Sequence, residues 1–159
     1  MYNVLDVCHY VIKYSNDKGY GISNLKLQKI LYFIQAYFLT CTEEGMPCFS
    51  ENIEAWEFGP VVPEAYHEYK QYGSGHIPTV NSRIVYSNRD IWSVERVPYE
   101  DVISRVHKKH INTVVDTFSG YSATALVTLT HKQDPWKNAY KPNENNIISI
   151  DEIRSYFNG

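Results

Sequence analysis

The chain has little cysteine, no long apolar run and no excess of positive charge, and each shortage removes a class of protein. Its cysteines, Cys8, Cys41 and Cys48, are odd in number, irregularly spaced and without a CxxC pair. Neither a disulfide framework nor a zinc ribbon is therefore expected, and the thiols read as reduced. No apolar stretch approaches the roughly 20 residues that span a bilayer. The opening segment Met1 to Tyr10 holds Asp6 and His9 and lacks a basic lead-in, unlike a secretion signal. A cytoplasmic protein with no membrane partner is the expectation. The formal charge of -3 argues against a protein whose main affinity comes from neutralising phosphates, so nucleic acid is not the expected partner.

Catalytic signatures are missing as well. There is no HExxH helix, no GxSxG turn around Ser119 or Ser122, and no glycine-rich phosphate cradle before a helix. What the chain does have is 159 residues, 43% of them hydrophobic, enough for one core and one domain over 1–159. It also has 14 tyrosines, whose broad apolar faces with a hydroxyl suit half-buried helix surfaces and interfaces.

Periodicity gives a mainly α, α-rich α+β fold: about six helices in a compact bundle with a small strand or hairpin. Val4, Val7, Cys8, Val11 and Ile12 form one helical stripe behind Asn3 as N-cap. A second helix after Ser23 carries Leu25, Leu27, Ile30, Leu31, Ile34 and Phe38 and reads as the core pillar. Ile53 to Phe58 suits a strand or extended loop stopped by Gly59 and Pro60. Pro63 opens a third helix bearing Tyr66 and Tyr69 and ending at Gly73. The segment 74–98 is the least legible, and a hairpin turning at Asn88, Arg89 and Asp90 is the expectation. A fourth helix is expected from about Glu100 to Ser119, with Ile103, Val106, Ile111, Val114, Val115 and Phe118 on its apolar side. A fifth opens at Ser122 and breaks at Asp134 and Pro135. Ser149 with Glu152 forms a capping box, and Ile148 with Ile153 a hydrophobic staple, for the last helix.

Several side chains invite a chemical reading. His107 and His110 have a spacing that could share a metal, but Lys108 and Lys109 lie between them and no third ligand is evident; a solvated face is the better reading, and no cofactor is expected. A cysteine with His131 and Asp134 would supply the parts of a hydrolase, although Cys8 falls on an apolar stripe as a buried thiol would. Arg105, Lys108 and Lys109 could hold phosphates or simply keep a helix face wet. The run Trp56 to Pro63 differs in kind, because aromatics on a proline-stiffened backbone lose little entropy on binding. Trp56 and Phe58 can serve equally as core or as interface.

Three segments together resemble a known family. Ser23 to Ala36, with Lys26, Gln28, Lys29, Tyr32 and Gln35, is similar to the LKLQKLLYFxQA helix of the Panacea, or SocA-like, antitoxin domain. Glu54 to Tyr66 resembles its EAWxxGPVVPxxY segment, and Ser122 to Trp136 its SAxxLxxxTHxxxPW element, which contains His131. The resemblance implies an α-rich module, not an enzyme, that neutralises a cognate toxin by direct contact in a type II toxin–antitoxin pair. The toxin would be encoded next to it, and in some relatives a protease receives the toxin. Partner-binding candidates are Trp56, Phe58, Pro60, Val61, Pro63, Tyr66 and Tyr69. A phage-encoded host-interaction protein or proteolytic adaptor of the same fold is the alternative, and a small cysteine hydrolase a weaker one. Nearly the whole chain is accounted for by the domain, so no appended DNA-binding unit is expected.

Overall fold

The computed structural model describes residues 1–86 and 94–159 and is α-rich. Helix α1, Val4–Asp17, is capped by the Asn3 side chain, which accepts from the Leu5 amide. Helix α2, Asn24–Cys41, is capped by Ser23, which accepts from the Lys26 amide. Both starts follow from a short polar side chain taking up an amide that the first turn leaves unpaired. Strands β1, Ile53–Trp56, and β2, Gly59–Val61, lead into helix α3, Pro63–Tyr69. A 3-10 turn, Lys70–Tyr72, follows and ends at Gly73 with φ 57°. Strands β3, Ser82–Tyr86, and β4, Val94–Pro98, form an antiparallel ribbon that pairs Ser82 with Pro98 and Tyr86 with Val94. The hairpin expected there is present, and its turn at Asn88 to Asp90 lies outside the described residues. Helices α4, Arg105–Thr117, α5, Ala123–His131, and α6, Asp134–Ala139, precede strand β5, Asn146–Ile148, and helix α7, Ile150–Asn158.

Helix α2 is the pillar. It packs against α1, α3, α4, α5, α7 and β2, and almost every turn of it is buried. Leu27, Ile30, Leu31 and Ile34 are at most 1% exposed, and each such side chain contributes about 1.5–3 kcal/mol through removal from water. The α1 stripe of Val4, Val7, Cys8, Val11 and Ile12 joins the same core, as do Ile111, Val114 and Val115 of α4. A three-stranded antiparallel sheet in the order β2-β1-β5 lies against this bundle. Its register pairs Trp56 with Gly59 across a two-residue turn at Glu57 and Phe58, and Ile53 with Ile148.

Three expectations need correction. The fourth helix begins at Arg105, because Ser104, whose hydroxyl accepts from the His107 amide, is the real cap. Ile103 is buried from the preceding loop, and Val106 points away from the core at 61% exposure. The fifth helix ends before Asp134 and Pro135 as expected, at His131, but those two residues open a further helix, α6, with Pro135 in its first turn, where its missing N–H has no intrahelical partner to lose. Among the described residues there are thus seven α-helices. The short β5 strand carries too little pattern to be read in the sequence.

Candidate partner-binding site: a clamped aromatic hairpin

The β1–β2 hairpin is held by side chains that reach its backbone from remote parts of the chain. The Lys29 ammonium donates to the Pro60 carbonyl at 2.9 Å. His131 Nε2 donates to the Glu57 carbonyl at 2.9 Å, which fixes a proton on that nitrogen. Trp136 Nε1 donates to the Trp56 carbonyl at 2.8 Å. Gln28 Oε1 accepts from the Val62 amide at 3.0 Å, while its Nε2 donates to Asn24 Oδ1 at 2.9 Å. Asn24 in turn donates to the Tyr66 carbonyl. Buried backbone groups that the short sheet leaves unpaired are satisfied in this way.

Gly59 is required twice at this point. Its φ is +105°, and a Cβ would stand 2.7 Å from Lys29 Cε and 2.9 Å from Thr130 Oγ1. Lys29 itself is fully buried, and burial lowers its pKa from 10.5 to about 7. Elsewhere on α2, the Tyr32 hydroxyl donates to Gln133 Oε1. Burial raises the Tyr32 pKa well above its usual value. Gln35 accepts from the amides of Cys48 and Phe49 and donates to the Phe49 carbonyl. Lys26 reaches the Ser119 carbonyl at 3.4 Å.

The clamp places aromatic surface at the edge of the bundle. Phe58, in the turn, is 60% exposed. Trp56 is half-buried, edge-on to Tyr66 with ring centroids 5.0 Å apart, and its Nε1 donates to Glu54. These two residues divide between the roles that sequence left open: Trp56 packs, and Phe58 faces solvent. Pro63 and Tyr66 are half-buried. Pro60, Val61 and Tyr69 are buried, although Val61 also lines the groove beside the hairpin. Tyr69 faces inward because α3 turns that side toward α1.

Beside the hairpin lies a groove of about 670 Å³, lined by Trp56, Phe58 and Tyr66 and by Tyr140, Asn143 and Glu144 from the segment after α6. Trp136 stacks between His131 and Tyr140, at 4.0 and 4.5 Å. This second wall escaped the sequence reading. Trp136 and Tyr140 stand four residues apart, the spacing of neighbours on a helix face, but a helix of only 6 residues carries too little periodicity to be read from the sequence.

The groups considered for other chemistry are engaged otherwise. His131 uses Nε2 on a carbonyl and stacks on Trp136, and Asp134 lies 3.9 Å from Lys137; neither hydrogen-bonds a thiol. Cys8 and Cys48 are buried, and burial pushes the Cys48 thiol up to about 12. His107 shares a 2.6 Å hydrogen bond with Tyr2 and, like His110, packs on Phe38. Among the described residues no group of three His, Cys, Asp or Glu side chains gathers to hold a metal ion. Lys108 pairs with Asp101 at 2.6 Å, which reduces the free positive charge of α4.

The profile of the family described as "Antitoxin SocA-like, Panacea domain" matches residues 27–137. The chain belongs to that family. The matched span contains Gln28 and Lys29, the hairpin, His131 and Trp136, and leaves Asn24 just outside it. Antitoxin SocA of Caulobacter vibrioides (strain NA1000 / CB15N) is similar, 34% identical over 116 residues, covering 72% of this chain and 58% of that relative. The chain therefore matches a little over half the length of that curated relative. No solved structure matches. Among the described residues, no helix is long and apolar enough to cross a membrane.

Proposed function

We propose that this Panacea-domain chain is an antitoxin that neutralises a cognate toxin by direct contact, without catalysis, in a type II pair whose toxin is encoded next to it. Family membership and the name of the SocA relative support the general role. The observation that carries the contact mode is Phe58, 60% exposed on a turn whose backbone is held by hydrogen bonds from Lys29, His131 and Trp136. An aromatic presented on a pre-ordered backbone loses little freedom when a partner covers it, and such residues are typical binding hot spots. Trp56 and Tyr66 extend the same face, with Pro63 beside them. The partner is a protein met in the cytoplasm, and inhibition needs only that its active surface be covered.

Co-expression with the neighbouring reading frame tests this reading. The neighbour should arrest growth alone, the pair should grow, and Phe58→Ser should restore arrest while the antitoxin remains folded and abundant. A neighbour that is harmless alone, or lethal with the wild-type chain present, would sink it.

A further inference from the structure

The charge of the hairpin face points to the chemistry of what it binds. Residues 42–69 contain seven glutamates and no lysine or arginine, so a chain of net charge -3 is acidic in this segment and net basic elsewhere. Among the described residues every ion pair uses an aspartate: Asp17, Asp101, Asp134 or Asp151. Glu57 and Glu64 are exposed and have neither an ion pair nor a side-chain hydrogen bond among the described residues. Glu57 lines the groove, and Glu144 lines it from the α6–β5 segment. Among the described residues, Lys70 is the one lysine or arginine on the wall. Trp56, Phe58, Tyr66 and Tyr140 give the wall its aromatic surface, and the uncharged amides of Asn24, Gln28, Asn143 and Asn145 lie among them.

We propose that this groove takes a net-basic polypeptide segment, seating one aromatic or aliphatic side chain against Trp56, Tyr66 and Tyr140 while flanking Lys or Arg residues meet Glu57 and Glu144. The inference deepens the antitoxin reading and rests on it for the partner's being a protein. Two physical arguments favour this occupant. Unpaired carboxylates around a groove raise the local concentration of cationic partners and speed their encounter. The aromatic lining then supplies the apolar burial that fixes a single anchor. Phosphate-bearing ligands are repelled by the same glutamates. Lys70 leaves a place for one carbonyl or carboxylate of the segment.

The test is selection of a displayed random-peptide library against the full-length chain, followed by binding of the enriched synthetic peptides to wild type, Phe58→Ser and the double variant Glu57→Lys/Glu144→Lys. All three positions are exposed, and melting curves establish that the variants are folded. Enriched peptides should carry Lys or Arg beside Trp, Phe or Leu and bind less well as salt rises. They should lose about tenfold or more in affinity to the double variant, equivalent to about 1.4 kcal/mol, and lose affinity to Phe58→Ser as well. No enrichment, an acidic or uncharged consensus, affinities that neither variant changes, or self-association abolished by the charge reversal would each overturn the proposal. Co-expression separates this from the parent reading. If both variants still silence the toxin, the groove assignment fails and the antitoxin role stands. If wild type fails to silence it while basic peptides bind as expected, the antitoxin role fails and the groove assignment stands.

Discussion

Replacing Lys29 by methionine should change the pH dependence of stability in a defined direction. The Lys29 ammonium is fully buried, with the Pro60 carbonyl as its hydrogen-bond partner and no ion pair among the described residues. Burial disfavours its charged form and lowers its pKa from 10.5 to about 7. Between those two values the unfolded chain binds more protons than the folded one, so the lysine makes stability rise with pH from about 7 upward. Below about 7 both states hold the proton and the contribution is level. The linkage relation makes the lysine's contribution about 2–3 kcal/mol less favourable at about pH 6 than at about pH 9. Methionine does not titrate. Its loss of the bond to the Pro60 carbonyl costs about 1–3 kcal/mol at every pH, which shifts the offset and leaves the slope. Tyrosines raised by burial, such as Tyr32, titrate alike in both proteins and cancel in the difference. Urea unfolding followed by tryptophan fluorescence at a series of pH values gives the two stabilities. The variant should gain on wild type by about 2–3 kcal/mol as pH falls from about 9 to about 6. Parallel pH profiles would refute the assignment of Lys29 as a buried amine neutralised by its surroundings.

Gly59→Ala forces a side chain into a position with φ +105° and a 2.7 Å approach to Lys29 Cε; it should lower stability by about 2–5 kcal/mol, read by chemical denaturation. Gln35→Leu strands the amides of Cys48 and Phe49 and the Phe49 carbonyl. Its cost should be about 2–4 kcal/mol, and hydrogen exchange should quicken at those two amides. In the native protein a thiol reagent should modify Cys41 quickly and leave Cys8 and Cys48, both buried, untouched until the chain is denatured.

Much of the fold was legible because its helices announce themselves locally. Asn3, Ser23, Ser122 and Ser149 each cap a helix where the sequence places them, and the stripes of α1 and α2 bury as their spacing requires. The misreadings arose where one residue fits two local roles. Ile103 continues an apolar period yet belongs to the loop before Ser104, and Pro135 both breaks a preceding helix and suits the first turn of the next. The site was legible in identity and not in role. Lys29, His131 and Trp136 stood out in family segments, but their bonds run to the carbonyls of Pro60, Glu57 and Trp56. Backbone acceptors have no side-chain signature, so no sequence pattern reveals such pairings. Tyr140 and Glu144 were missed because the wall they form depends on α6 being a helix.

The most direct test of a protein-binding hairpin is hydroxyl-radical footprinting of the chain alone and co-purified with the product of the neighbouring reading frame. Oxidation of Phe58, Trp56, Tyr66 and Tyr140 should fall on complex formation, while Tyr121 and Tyr156, exposed on other elements, should be unchanged. Protection confined to Tyr121 and Tyr156, with Phe58 oxidised as fast in the complex as alone, would contradict the account.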